Sequence, residues 1–569
     1  MLPDVAAIDR EFDYLVPPSW MTDGRFERMQ IGSMVRIPLQ GRNVAGWITA
    51  IDVEPSVAGQ LSPLAKLSGC GPGADLVEMS KWAAWRWAGR RVAFLRAASP
   101  PRMVAGRPTA VATGRLPAGP ADVFDEAFSA GNAVVRIPPT HDLTPVAMAA
   151  CRKGQALIVT PDQHAARLLA IALRRAGVTV ALAPDDWSAA AGGATIVGPR
   201  SAAWMPAPNL AAVLVIDEHD ELLKNERTPT WHAREVVMER ARLRGVPAVV
   251  ASSVPTLEAL RSGKLFRPSR DAERDGWPVV EVVDRRDEAP TRGGLFAEGV
   301  IDRIRRGGRV VCVLNRKGRA RLLACASCGE IVRTDDGRSP MVLMESSLQS
   351  VDGKETRPAV CSVCGSTSLK YLRLGVTRAR EELSAAIREE VEEVTAESSG
   401  STSSRVVIGT EAALHRTESA DLVVFLDFDQ ELLATRQRAS EQAIALLARA
   451  ARLVGPRSQG GALLVQTRLP DHVVIKAAVA ADPSILARWE RDQRQAMGMP
   501  PYGAEVLVSG AGAVEFIEGI RGADGVKIRG PLDDRWMLRS VSHEPLLDVL
   551  AKAARPSARL RIEVDPLRA

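Results

Sequence analysis

No apolar run in this 569-residue sequence approaches the roughly 18 residues that a membrane-crossing helix needs, so neither a helical span nor a membrane partner is expected. The opening stretch, MLPDVAAIDREFDYLVPP, lacks a basic segment followed by an apolar core; no secretory signal is read, and a cytoplasmic protein is expected. Cysteine is scarce. There are seven, an odd number in a long chain without a signal, which argues against a disulfide framework. No charge of one sign dominates: 74 Lys and Arg stand against 68 Asp and Glu, leaving a formal net charge of +6. That mild excess fits a polyanionic partner through counterion release, but spread over so long a chain it does not demand one. The sequence contains no internal repeat.

What is present reads as a folded multidomain protein. Hydrophobic residues make up 46% and charged residues 25%, an ordinary balance for a soluble chain. At about 150 residues per domain, the length suggests about four domains. Near the start, FDYLVPP, GSMVRIPL and VAGWITAIDV read as strands of a small β-rich domain. Residues 82–97, WAAWRWAGRRVAFLRA, read as one helix carrying Trp82, Trp85 and Trp87 with Arg86, Arg90 and Arg91. Those side chains suit base stacking and phosphate contact, or plain core packing. A Pro- and Gly-punctuated linker follows.

From about residue 130, continuous apolar strands alternate with helices. QALIVT, VTVALA, ATIVG, AAVLVID and PAVVASS form one set; RVVCVLN, RVVIGT, DLVVFLDFD and ALLVQT form a second. Such alternation indicates parallel sheets covered on both faces, hence two doubly wound lobes. A short remainder ends in the strand-like ARLRIEVDP.

Cys70, Cys151 and Cys312 are scattered and read as small core residues. The other four form two CxxCG knuckles, Cys325 with Cys328 and Cys361 with Cys364. A two-residue gap lets both thiolates of a pair face one tetrahedral ion, and the following Gly permits the tight turn. Four thiolates match one structural zinc, with no position open for catalytic water. The polar spacer between the knuckles reads as a loop.

The strand VLVI runs into Asp217, Glu218, His219 and Asp220, like a helicase DExH or DExD box. In such a box an Asp at the strand end holds Mg²⁺ and the Glu aligns the attacking water. Acidic residues there also occur as plain helix caps. The phosphate-cradling loop that should accompany the box, GxxxxGK followed by Ser or Thr, is nowhere in the chain. The corresponding region, NAVVRIPPTHDLTPVAM, has neither the glycines nor the lysine, and its prolines remove N–H donors that would point at phosphate.

Taken in order, the segments resemble the PriA family of replication-restart DNA helicases over nearly the whole chain. FDYLVP, GSMVRIPL and GWI are similar to its amino-terminal DNA-binding domain. VGPRSAAWMPAPNLAAVLVIDEHD, Lys224 and WHAREVVMERA are similar to its first helicase lobe, and ASSVPTLEAL to its SATPSLES motif. LNRKGRARLLACASCG resembles the segment that runs into its zinc insertion; LGVTRAREEL, VVIGTEAAL, LDFDQELL, LLVQTRLPDH, MPPYG, RWMLR and EVDP continue in family order.

The resemblance implies a multidomain α/β protein: two RecA-like doubly wound helicase lobes with a zinc-binding insertion, a β-rich N-terminal DNA-binding domain and a small α+β C-terminal domain. The implied divisions are 1–100 for the 3′-end DNA-binding domain, 101–125 for a linker and 126–290 for lobe 1. Lobe 2 starts at 291–319 and resumes at 371–500 around the zinc insertion at 320–370, and 501–569 is the C-terminal domain. In the family Asp13 would hydrogen-bond the terminal base of a 3′ end; Gly41 or Gln40 would line the same pocket, with Lys66 as a third member. From the residues alone Asp13 reads as a turn or edge-strand carboxylate. The family's usual second zinc site is missing, because only the outer cysteine pairs are kept; in the family those pairs share one ion.

Other departures fall on the motor. The family's GVTGSGKT corresponds to Ile137–Thr144, with Leu143 at the lysine position and Thr144 alone surviving. Anchored on His219, Asp220 and Lys224, the DEEHD box puts Ile216 at its first acid; anchored on the strand end, it keeps Asp217 and Glu218. The family's QVAGRAGR corresponds to RAARLVGP, where Leu453 and Pro456 take the arginine positions beside Arg452 and Arg457. The resemblance with these losses implies no intact catalytic residue, Asp217, Glu218 and His219 being vestiges, and no firm ATP binding, Thr144 being the vestige of the nucleotide site. It implies a replication-restart scaffold that recognises forked and single-stranded DNA. Such a scaffold would contact single-strand DNA-binding protein and primosome components and help reload the replicative helicase. A working ATP-dependent 3′–5′ helicase with a degenerate site is the alternative, and a zinc-stabilised remnant with a new partner is a third.

Overall fold

The unbroken apolar runs become the fully buried strands of two parallel sheets. The computed structural model describes the chain apart from residues 56–59, 112–115, 117–121, 287–293, 298, 316–322, 329–331, 333, 336–340, 345–346, 351–354, 372–375, 396, 399, 401, 435 and 569. Parts of the expected linker, of the spacer between the knuckles and of LNRKGRARLLACASCG therefore lie outside the described residues. The chain divides into two units: Met1–Ile137 with His141–Ser269 and Ala487–Ala569, and Arg270–Leu486 with Pro138–Thr140.

In the first unit the parallel sheet has seven strands, in the order Lys264–Phe266, Asn132–Arg136, Ala248–Ser252, Leu210–Ile216, Gln155–Val159, Thr195–Gly198 and Val180–Leu182. Every residue of Gln155–Val159, Thr195–Gly198 and Ala248–Ser252 is buried, which is why these strands read as continuous rather than alternating. The helix Gln163–Arg175 covers one face with Ala166, Leu169, Ala170 and Leu173, a 3.6-residue stripe. Asp162 caps it, accepting from the Ala165 N–H at 2.8 Å.

The N-terminal domain is an antiparallel sheet ordered Leu2–Pro3, Arg42–Trp47, Met34–Leu39 and Lys66–Gly69. FDYLVPP is not a strand of it. That segment makes only an isolated bridge, Leu15 to Pro63, because Pro17 and Pro18 have no N–H for a ladder.

Nor do residues 82–97 form one helix. Ala74–Arg86 and Arg91–Ala98 are separate helices, with Ala88 between them in the left-handed region at φ 44°. The break fits tertiary packing: a Cβ on Gly89 would meet the Pro229 side chain at 2.8 Å, and Trp87 turns inward onto Phe94, which stacks on Trp204. Trp82 packs edge-on against Trp87, and Trp85 Nε1 donates to Asp548 at 2.8 Å. Trp87 is buried, while Trp82 and Trp85 are half-buried.

The last strands and helices of the unit run Ala504–Ser509, Ala513–Ile520, Lys527–Leu532, Arg535–Ser540, His543–Lys552 and Arg561–Val564. Their antiparallel sheet, ordered second, third, first, fourth, is the split βαβ arrangement of ferredoxin-like domains.

The second unit holds a six-stranded parallel sheet ordered Val279–Asp284, Ala462–Thr467, Leu422–Phe425, Val310–Val313, Val406–Gly409 and Glu392–Val394. Between two of its strands the cysteine insertion folds on a pair of antiparallel strands, Leu323–Cys325 and Leu369–Tyr371. Its spacer is more than a loop: Met341–Met344, Ser347–Ser350 and Thr356–Pro358 make a small antiparallel sheet. Met341 and Leu348 are buried there beside Leu323 and Val332, a core too short for the sequence pattern to announce. Among the described residues no helix is long and apolar enough to cross a membrane.

Candidate DNA-binding, nucleotide and metal sites

The strand Leu210–Ile216 ends on the buried Ile216, and the chain then turns sharply at Asp217, whose φ of 52° lies in the left-handed region that Asp tolerates better than most residues. The turn places Glu218 inward. Its Oε2 accepts from Arg234 Nη1 at 2.8 Å and from the Thr256 hydroxyl at 2.9 Å, and its Oε1 accepts from the Thr256 N–H at 2.6 Å. Thr256 in turn caps the helix Leu257–Ser262, accepting from the Ala259 N–H. Glu218 is 1% exposed. This carboxylate is buried among donors of the protein itself. His219 Nδ1 shares a 2.7 Å hydrogen bond with the Ser252 hydroxyl.

The phosphate-loop region is occupied in a different way. The helix Thr144–Arg152 begins with Pro145 in its first turn, and Asp142 Oδ1 accepts from both the Thr144 N–H, at 2.9 Å, and the Thr144 hydroxyl, at 2.8 Å. A helix start that would receive a phosphate oxygen thus already holds a carboxylate, whose charge opposes a second anion. Sequence reasoning singled out Thr144 and missed Asp142. An Asp two residues before a Thr is an Asx-turn signal that could have found it.

In the second unit Arg452 lies exposed in the last turn of the helix Ala439–Val454. Arg457 folds onto the chain at Trp277 and Pro278, donating from Nε and Nη2 to their carbonyls at 3.3 and 3.4 Å. The side chains of Leu453 and Pro456 offer no donor.

Gly41 lies at a hairpin tip of the N-terminal sheet, Lys66 pairs with Arg36 within it, and Asp13 follows Phe12, whose N–H donates to the Met1 carbonyl. Gly41, at φ 75°, and Gln40, at φ 49°, form the tip of the hairpin joining Met34–Leu39 to Arg42–Trp47, and a Cβ on Gly41 would meet open space. Next to Asp13, the Tyr14 hydroxyl donates to the Pro38 carbonyl of that hairpin at 2.9 Å. One residue further, Leu15 exchanges backbone hydrogen bonds with Ser62 and Leu64 on the run into Lys66. The segment bearing Asp13 is therefore held between the hairpin and the strand of Lys66.

The four knuckle cysteines converge. Their sulfurs all lie within 4.8 Å of one another, with Cys325 to Cys364 at 3.4 Å and Cys328 to Cys361 at 3.6 Å. A tetrahedron of Zn–S bonds about 2.3 Å long has edges of about 3.8 Å, so the cluster fits one zinc ion. The backbone N–H of Cys328 leads in pulling the Cys325 thiol down to about 6, and the N–H of Cys364 leads in lowering Cys361. Cys364 moves up to about 12: the Ser366 N–H favours its thiolate, but the neighbouring sulfurs outweigh it. Cys70, Cys151 and Cys312 are buried, and burial pushes Cys151 and Cys312 up to about 12, the mark of inert core thiols.

Two doubly wound lobes, a DExH-like turn and a β-rich N-terminal domain give the chain a helicase-like fold. Within that class the chain is similar, over part of its length, to replication restart proteins named PriA. Residues 2–100 match the family model of the PriA 3′ DNA-binding domain. The replication restart protein PriA of Bacillus subtilis (strain 168) is 24% identical over 380 residues, 59% of this chain and 47% of that protein. That of Haemophilus influenzae is 25% identical over 353 residues, covering 57% and 48%, and that of Treponema pallidum 28% over 335 residues, covering 54% and 50%. The chain spans about half the length of the curated relatives it matches.

Proposed function

We propose that the protein is a fork-recognising scaffold of replication restart, which binds forked and single-stranded DNA and helps reload the replicative helicase without unwinding DNA itself. Asp13, with the Gly41 hairpin and Lys66, receives the 3′ end of a strand. Single-strand DNA-binding protein and primosome components are its protein partners. One zinc held by Cys325, Cys328, Cys361 and Cys364 pins the insertion of the second lobe. Domain limits at 100, 125, 290, 320, 370 and 500 divide these roles.

The observation that carries the reading is the filled phosphate position: Asp142 takes both the N–H and the hydroxyl of Thr144. With no lysine at Leu143 to offset that charge, a nucleotide phosphate meets repulsion where a motor would bind it. The burial of Glu218 against Arg234 supports the same conclusion from the water-activating side.

ATP hydrolysis by the purified protein in the presence of forked DNA, measured beside fork binding in the same preparation, tests the proposal. Fork binding with hydrolysis at background supports a scaffold. DNA-stimulated turnover that is lost on changing Asp217 and Glu218 replaces it with an ATP-driven helicase using a rebuilt site.

A further inference from the structure

In the first unit a cavity of about 820 Å³ opens between the N-terminal domain, the two helices that follow it and the C-terminal domain. Its walls carry Arg10, Arg90 and Arg555 against one carboxylate, Asp9, with Phe12 and Gln40 beside them. Asp9 is already engaged, accepting from the Arg91 N–H at 3.2 Å. Neighbouring arginines on the same two helices are ion-paired: Arg86 with Glu235 and Asp565, Arg91 with Glu11, Arg96 with Asp4. The three in the cleft are not, among the described residues. Arg90 gives one N–H to the Ala6 carbonyl at 2.5 Å, Arg555 one to Ala88 at 2.8 Å, and Arg10 lies over the Phe12 ring at 4.6 Å.

A single backbone bond fixes each of Arg90 and Arg555 and leaves most of its five donors available. Arg555 stands exposed at the rim, where partial desolvation first and then the charge of Arg90 hold its guanidinium below its ordinary value, with Asp9 acting the other way. Like charges gathered in this manner are relieved by an anion between them. A guanidinium fork matches phosphate oxygens in pairs, and the volume falls in the range of about 300–1,000 Å³ of pockets that enclose small ligands. Gln40 carries the cleft to the tip of the Gly41 hairpin.

We propose that the cleft holds the phosphodiester backbone of the single strand whose 3′ end is received at that hairpin, with Arg10, Arg90 and Arg555 as its phosphate contacts. This rests on the reading of the N-terminal domain as a 3′-end binder. The strand then runs from the sheet edge across to the C-terminal domain, which contributes Arg555.

The test is a salt titration of the full chain with a fluorescein-labelled oligothymidylate, bearing either a 3′ hydroxyl or a 3′ phosphate. Each phosphate contact on a single strand contributes about 0.7 to the slope of log affinity against log salt. Arg90→Gln with Arg555→Gln is expected to flatten that slope by about 1.4, and Arg10→Gln, at an exposed position, by about 0.7. Arg90→Lys with Arg555→Lys, which keeps the charge, is expected to hold the wild-type slope; a folding defect would instead lower the melting temperature of both double variants. An unchanged slope in the Gln variants, with the wild type still preferring the 3′ hydroxyl, overturns the cleft and leaves the 3′-end reading standing. A wild type indifferent to the 3′ terminus removes that reading and the proposal built on it. Loss of an acidic peptide by the Gln variants, with the DNA slope unchanged, overturns the proposal in favour of a protein ligand.

Discussion

Arg86 donates to the carboxylate of Asp565 at 2.7 Å across 479 residues of chain. His543 Nε2 reaches the same carboxylate at 2.8 Å, and Lys224 Nζ donates to the carbonyls of Val564 and Asp565. One node thus joins the helix after the N-terminal domain, the turn after the DExH-like box and the last strand of the ferredoxin-like domain. Lys224, aligned with a family position near the nucleotide box, is here spent on that junction. Replacing Asp565 by Asn leaves Arg86 with Glu235 as its remaining carboxylate, so the loss is expected to fall below the about 3–5 kcal/mol of a buried charge left unpaired. Thermal or urea unfolding measures it.

The same node sets a pH dependence. Burial alone would raise the Asp565 carboxyl; the charges of Arg86 and then His543 outweigh it and hold the group well below the ordinary Asp range. A carboxylate depressed in the folded state stabilises fully above its unfolded value of about 3.9, and that stability fades as pH falls below it. The stability gap between the wild type and Asp565→Asn is therefore expected to shrink as pH falls below about 4. A gap that goes on widening below that pH would contradict the assignment.

Glu218 gives a prediction that separates anchor from catalyst. Glu218→Gln keeps the shape but removes the charge facing Arg234, which is buried at 7% exposure. Stability is expected to fall by about 3 kcal/mol or more, as for other broken buried pairs. Basal ATP hydrolysis is expected to stay at background in both proteins. A variant of wild-type stability that loses a measurable turnover would return Glu218 to a catalytic role.

These features divide by how local their causes are. Continuous apolar runs such as QALIVT and AAVLVID announce buried parallel strands, because burial on both faces leaves no alternation to read. CxxCG spacing brings four sulfurs together for a similarly local reason, the reach of two residues around one ion. The break at Ala88 and Gly89 had no such signal: it follows from Pro229 and Trp204, which arrive from far along the chain. FDYLVPP misled because its apolar pattern is strand-like while its prolines deny the ladder. The engagement of Glu218 was hidden too, since nothing in the string Asp217-Glu218 announces that the turn at Asp217 leaves both of them buried.

Zinc removal should act on the insertion by itself. With four cysteine ligands and no open position, an ion held there would be structural, and its binding energy would contribute to folding. Metal analysis is expected to give one zinc per chain, and Cys361→Ser to lower it to none. Chelation is expected to expose the Met341–Met344 and Ser347–Ser350 strands to protease while fork binding by the N-terminal domain persists. Two ions per chain, or none in the wild type, would rule out the single four-thiolate site.

Asp13 provides the sharpest check on fork recognition. A carboxylate that hydrogen-bonds a terminal base contributes only when a 3′ end is present, whereas phosphate contacts act on any duplex. A hydrogen bond to a charged group contributes about 1.5–3 kcal/mol, so Asp13→Ala is expected to weaken binding to forks with a free 3′ end by about ten- to hundredfold. Binding to blunt duplex should hardly change. The segment is also fixed by Tyr14 on Pro38 and Leu15 on Ser62, neither of which uses the Asp13 side chain, and the melting temperature of the variant shows whether the domain stays folded. Anisotropy titrations on the two substrates measure the difference directly; equal loss on both would show that Asp13 holds the domain together and that the 3′ end is received elsewhere.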